Sequence, residues 1–262
     1  MLSRKGKLKH EDYTHLPEAG FAAVQESEIG KTSKNVQFLT NEDITAQALI
    51  FFFGGFDTAS SLMCFLGHEL AVNQHIQRRL KEEIRKLLID TDGKITYEHL
   101  LSMKYLDMVI SETLRKWPQA TWLDRKCTKE FEIEPKNEGE PRLKVNVGDI
   151  CWLPVYAIHK DPNYYPNPDV FDPERFSDEN KDKIKPTTYL PFGIGPRNCI
   201  GSRFALLETK ILMFHLLTNF DIVPTEKTQI PLKIDKNNIL VLGEKGFHVG
   251  LRRMQKTDFS NK

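Results

Sequence analysis

The chain has 262 residues, with 37 Lys and Arg against 36 Asp and Glu, and a formal net charge of +1. That length suits one large domain or two small ones, and the charge balance leaves no global basic field for nucleic acid. The basic start, Arg4, Lys5, Lys7 and Lys9, is too short to outweigh it. Four cysteines, Cys64, Cys127, Cys151 and Cys199, lack Cys-x-x-Cys spacing. They read as reduced intracellular thiols, not as a disulfide framework or a zinc site. No unbroken run of about 20 apolar residues is present, so no transmembrane helix is expected. The polar start carries no secretory signal.

Residues 1–37 read as a loop with a short helix. Thr40-Asn41-Glu42-Asp43 resembles a capping box. From there to Asn73 no proline interrupts the chain, which predicts a helix over 38–73, long for a globular protein. Its centre, Leu49-Ile50-Phe51-Phe52-Phe53-Gly54-Gly55, is apolar on every side and is expected to lie buried under other helices. An amphipathic helix follows over 74–88, with Ile76, Leu80, Ile84 and Leu87 on one stripe. Asp92-Gly93 marks a turn, and Thr96 can cap a short helix to Leu101. The next helix runs from Tyr105 to Trp117 and stops at Pro118. Short strands are expected near 131–133, 143–147 and 149–153, then an irregular proline-rich stretch over 160–191. A helix over 202–217 and strands near 232–234 and 247–251 complete a mainly α chain with small β-sheets.

The chemistry concentrates at Cys199, in Pro191-Phe192-Gly193-Ile194-Gly195-Pro196-Arg197-Asn198-Cys199-Ile200-Gly201. Glycine lets backbone pass close to a flat macrocycle and adopt positive φ. The start of the following helix favours an anionic sulfur. Arg197 can pair with a carboxylate through its planar fork, and Phe192 can shield the sulfur from water. A lone cysteine in a glycine-rich turn is ordinarily a small buried hydrophobe, so the whole run has to carry the signal. A phosphate loop would need Gly-Lys-Ser/Thr at its end, and that is absent. The full pattern, Phe192, Gly195, Arg197, Cys199 and Gly201, resembles the haem-binding loop of the cytochrome P-450 family.

Other segments carry the same resemblance. Gly54-Gly55-Phe56-Asp57-Thr58 is similar to the family's oxygen-binding helix segment, with Ala59 in place of a further hydroxyl. It implies an opened helix turn in which Asp57 and Thr58 relay protons to dioxygen. On the residues alone, a kinked helix with two satisfied polar side chains describes the segment equally. Glu112-Thr113-Leu114-Arg115 places acid and base three apart on one helix face, usually a surface ion pair. With Pro173-Glu174-Arg175-Phe176 it resembles the family's Glu-x-x-Arg and Pro-Glu-Arg-Phe elements, which implies a network of Glu112, Arg115 and Arg175 behind the cysteine loop. Arg125 matches a position that often pairs a haem propionate. His159 reads as a satisfied structural histidine, not an iron ligand. The stretches 50–53, 119–122 and 239–242 are the expected pocket lining, each equally describable as core.

The resemblance implies the C-terminal half of that fold. Its parts are a 1–37 lead-in, a 38–73 oxygen-binding helix, helices and a small sheet over 74–160, a meander and haem loop over 161–201, and a helix with C-terminal strands over 202–262. It further implies haem b (iron protoporphyrin IX) as cofactor and dioxygen and a small apolar substrate as reactants. Electrons would come from NADPH through a reductase, with NADPH not bound by this chain. No nucleic acid is expected as a partner. A complete member begins with a membrane anchor and the helices that roof the pocket, so the helices that would cover residues 49–55 are expected outside this chain, and Met1 reads as internal to a longer protein or as the start of a truncated product. The parent would sit on the cytoplasmic face of the endoplasmic reticulum. The likeness is greatest to insect microsomal members that handle xenobiotics. The rival is a non-catalytic fragment unable to hold haem. A haem-thiolate isomerase or dehydratase is a third option, disfavoured by the intact Asp57 and Thr58.

Overall fold

Thr40 opens the longest helix, where its hydroxyl accepts the Asp43 amide and the Asp43 carboxylate accepts the Thr40 amide. This is the reciprocal box expected. The computed structural model describes residues 21–22, 39–238 and 241–254. The rest of the 1–37 lead-in, with Arg4, Lys5, Lys7 and Lys9, and Ile239 and Leu240 of the expected pocket lining, lie outside those residues.

Helix α1 spans Asn41–Val72 without a break. Its two halves differ in cover. Leu49, Ile50, Phe51, Phe52, Phe53 and Phe56 are exposed, while Leu62, Phe65, Leu66 and Leu70 toward the C-terminus are buried. Composition shows that a helix is apolar all round but not where its cover comes from. Also, α1 is long and apolar enough, by length and composition, to cross a bilayer. A core helix of a globular protein passes the same test. The buried half of α1 packs against other helices in the manner of a core helix of a globular domain.

Helix α2, Gln74–Asp90, turns Ile76, Leu80 and Ile84 inward. Thr96 caps the short α3, Tyr97–Leu101. Helix α4, Lys104–Lys116, is buried along most of its length and ends at Trp117, before Pro118. Its amino end is capped from outside: the Glu83 carboxylate on α2 accepts the Tyr105 and Leu106 amides at 2.8 and 2.9 Å. A negative group there meets both the unpaired N–H groups and the positive end of the helix dipole. Helix α6, Ser202–Asn219, follows the cysteine loop. Leu66, Leu80, Ile84, Leu106, Ile110, Leu206, Met213 and Leu217, from α1, α2, α4 and α6, form one core. Each such side chain contributes about 1.5–3 kcal/mol by leaving water.

Three two-stranded antiparallel sheets border this bundle. Strand β1 (Leu123–Lys126) pairs with β4 (Ile150–Leu153), β2 (Phe131–Ile133) with β3 (Leu143–Val145), and β5 (Phe220–Pro224) with β6 (Val249–Arg253). β1, β5 and the five-residue α5, Val155–His159, were not foreseen. β1 carries three charged residues in four and is a strand because β4 lies beside it. α5 is too short to show a period. The strand expected at 232–234 is reduced to one bridge between Ile234 and Gly243. Residues 160–191 are irregular apart from three short 3-10 turns.

Candidate active site

The site is built outward from α4. Arg115 lies three residues after Glu112, and both side chains are fully buried. The guanidinium donates Nε and Nη2 to the two carboxylate oxygens at 2.7 and 2.8 Å. Its remaining donors reach out of the helix, Nη1 to the His159 carbonyl and Nη2 to the Pro168 carbonyl, each at 2.8 Å. The Asp172 amide donates to Glu112 at 3.0 Å. Arg175 brings its Nε to 3.5 Å from Glu112, an ion pair too long for a hydrogen bond, and donates Nη2 to the Asn167 carbonyl. Burial pushes the Glu112 carboxyl above its ordinary range, and the Arg115 fork, the Asp172 amide and Arg175 pull it back. Glu112, Arg115 and Arg175 thus meet, and they draw three segments of the irregular chain onto α4. Glu174, next to Arg175, is paired with Arg79 on α2.

The cysteine loop is attached to the same helix. His159 is fully buried, with Nδ1 3.1 Å from the Arg115 carbonyl and Nε2 accepting the Leu190 amide at 2.8 Å. Burial, and then the Arg115 charge, hold its imidazole down to about 3. The Tyr189 hydroxyl donates to the Ser111 carbonyl and the Tyr165 hydroxyl to the Thr188 carbonyl, each at 3.0 Å.

From Leu190 the chain turns through Gly193 (φ +74°) and Gly195 (φ +77°), conformations that favour glycine. The Cys199 amide donates back to the Phe192 carbonyl at 2.8 Å and closes the loop. A 3-10 turn, Gly195–Arg197, leaves Arg197 exposed. The Phe192 ring is half-buried against the main core. Cys199 is a free thiol and exposed. Ile200 (80% exposed) and Phe204 (66%) follow it. Gly201 is the N-cap of α6 and makes no side-chain cap bond, so no side chain at that position shields the positive end of the helix.

The donor set fits haem. Among the described residues no three His, Cys, Asp or Glu converge to hold a bare metal ion. A single exposed sulfur on a glycine-shaped loop, beside uncovered apolar side chains, suits a flat ring that brings its own metal and asks for one axial ligand.

Asp57 and Thr58 are half-buried on α1, which packs against α6 and α4. The expected opened turn is not there. The helix continues through Gly54-Gly55, and the Thr58 hydroxyl donates to the Gly54 carbonyl at 2.6 Å. Two glycines weaken a helix by about 1 kcal/mol each, which 32 residues of helix absorb. Arg125 is half-buried on β1 and donates to the neighbouring Asp124 carbonyl at 2.7 Å. Of the expected pocket lining, residues 50–53 and Trp122 are exposed, while Val241 packs with Phe65 and Trp117 in a small separate core. Sequence reasoning missed Glu69, which takes Trp117 Nε1 at 2.8 Å, Lys116 at 2.9 Å and Asn73 at 3.0 Å. It also missed the two tyrosines on the loop. A tryptophan ending a buried helix was the one available hint, since a buried indole N–H needs an acceptor.

The helical scaffold thus anchors a cysteine loop on a buried acid–arginine pair. Residues 7–251 match the family model described as Cytochrome P450, and the chain belongs to that family. It is 50% identical over 250 residues to cytochrome P450 9e2 of Blattella germanica, covering 94% of this chain and 46% of that protein. It is 47% identical over 213 residues to the probable cytochrome P450 9f2 of Drosophila melanogaster, covering 81% and 41% respectively. Cytochrome P450 3A9 of Rattus norvegicus is 44% identical over 214 residues, covering 82% and 41%. The chain spans about half the length of the curated relatives it matches.

Two predictions follow from the buried groups. Arg115→Met leaves Glu112 buried without its partner and should cost about 3–5 kcal/mol, read as a lower urea midpoint at unchanged slope. A loss below about 1 kcal/mol would place the pair with ordinary surface bridges. For His159, the folded state refuses a proton that the unfolded chain accepts near 6.5. Its contribution to stability is therefore complete above about pH 6.5 and declines as pH falls toward 3. Unfolding titrations from pH 7 to 4 should show a slope approaching about 1.4 kcal/mol per pH unit from this group, absent in His159→Gln. Equal slopes in both proteins would contradict it.

Proposed function

We propose that this chain supplies the haem-binding half of a haem-thiolate monooxygenase. Cys199 is its iron ligand, and a small apolar xenobiotic or lipid-like molecule is its substrate. The observation that carries the reading is the free, exposed Cys199 on a loop fixed to the buried Glu112–Arg115 pair. Haem b, when bound, supplies the activation of dioxygen, with one oxygen atom inserted into the substrate and the other released as water.

Cys199 holds the iron as a thiolate and donates charge to it. With the ring in place Phe192 would help keep water from the sulfur, and Gly195 and Gly201 would let the backbone lie close to the ring. Arg197 and Arg125 offer guanidinium donors to the propionates, Arg125 keeping its Nη1 bond to the Asp124 carbonyl. Glu112, Arg115 and Arg175 touch no reactant and hold the loop. Thr58 already spends its hydroxyl proton on Gly54, so its oxygen is first an acceptor. Rotation of that hydroxyl, with Asp57 beside it, would free Thr58 to hand on a proton on the haem side of α1. Electrons come from NADPH through a reductase that meets the cysteine side. The whole protein sits on the cytoplasmic face of the endoplasmic reticulum through an N-terminal anchor.

A second reading is kept by one observation. The exposed phenylalanines at 51–53 and 56 leave a broad apolar surface open, as in a fragment that cannot retain haem. Haem and carbon monoxide added to the reduced chain separate the two. A thiolate-type absorption band supports the monooxygenase, and an imidazole-type spectrum or none supports the fragment. Cys199→Ala should abolish the thiolate band; its survival would remove Cys199 as ligand. Thr58→Ala should leave haem bound and divert reducing equivalents to hydrogen peroxide, so unchanged coupling would take Thr58 out of the proton path.

A further inference from the structure

We propose that His159 is a positioning residue for Cys199, a neutral imidazole in one tautomer that clasps the chain before the cysteine loop to the last turn of α4. The inference rests on Cys199 being the haem ligand, and its geometry is independent of that reading. A carbonyl oxygen only accepts, so the contact with Arg115 requires the proton on Nδ1. The Leu190 amide only donates, so Nε2 must be bare. Both contacts are met by one tautomer and by no other state of the ring. An imidazolium would turn a second N–H toward the Leu190 N–H.

The clasp is reciprocal, because Arg115 donates to the carbonyl of His159 while the His159 ring donates to the carbonyl of Arg115. The ring is stacked on Tyr189 at 5.7 Å and meets the edge of Tyr165 at 6.2 Å. Those tyrosines hold residues 188 and 189 to the same assembly. Leu190 is buried, so its amide has no water to turn to if Nε2 is removed. Its own carbonyl accepts the Gly193 amide at 3.2 Å, and Phe192 between them carries the carbonyl that fixes Cys199. A shift at Leu190 therefore reaches the sulfur through two hydrogen bonds of the loop. A residue that merely filled space would need neither ring nitrogen.

His159→Phe keeps the volume and the stacking and removes both polar contacts, whereas His159→Gln keeps one donor and one acceptor. In the Phe variant the Leu190 amide should exchange with deuterium roughly tenfold faster, the order that one lost hydrogen bond carries. The reduced carbon monoxide complex should gain a thiol-type component beside the thiolate band, and the Gln variant should recover part of both losses. Wild-type exchange at Leu190 with an unmixed thiolate band in the Phe variant would overturn the proposal. If that variant does not fold, imidazole 15N shifts of the unsubstituted chain decide, with Nδ1 protonated and Nε2 bare expected and the opposite tautomer contradictory. A chain that shows the expected tautomer but no thiolate band would refute the monooxygenase reading and leave the clasp standing.

Discussion

The buried pairing of Glu112 with Arg115 is the interaction on which the rest of the site depends. Two charges three residues apart on a helix are ordinarily worth little, because water competes for both. Here neither side chain is accessible, so the pair must be complete, and completeness demands donors and acceptors from elsewhere. Asp172, His159, Pro168 and Arg175 supply them. The electrostatic need of one helix thereby orders a proline-rich stretch that has no long helix or strand of its own. The order passes through His159 and Leu190 to the glycine loop, and there a cysteine stands in solvent on a well-fixed backbone.

A second polar knot does similar work at the carboxyl end of α4. Glu69 near the end of α1 gathers the Trp117 indole, the Lys116 ammonium and the Asn73 amide. Phe65 stacks on Trp117 at 4.8 Å. The helix that carries Asp57 and Thr58 is thus tied at its far end to the helix that carries Glu112 and Arg115. Among the described residues the near half of α1 has no comparable partner, and its phenylalanines are exposed. One helix is a core element along half its length and an open apolar surface along the other.

What could be read beforehand was local. The capping box at Thr40, the cap at Thr96, the stripe of α2 and the stop before Pro118 are each written within a few residues, and each stands within one or two residues of its expected place. The cysteine loop was legible for the same reason, because its glycines, arginine and sulfur are contiguous. The acid–arginine spacing was visible too, but not its burial, since the groups that complete it lie 44 to 60 residues further on. β1 was hidden because a strand of Leu-Asp-Arg-Lys exists only by virtue of its partner. The opened turn at Gly54 was misjudged because intrinsic propensity is a weak prior inside a long helix, and Thr58 closes onto the carbonyl expected to be loose.

The most direct measurement is X-ray absorption at the iron edge of the haem-loaded protein. One sulfur in the first shell of the metal, lost when position 199 is alanine, is the result expected if Cys199 is the axial ligand. A first shell of nitrogen and oxygen alone, or a sulfur that persists after that substitution, would contradict it.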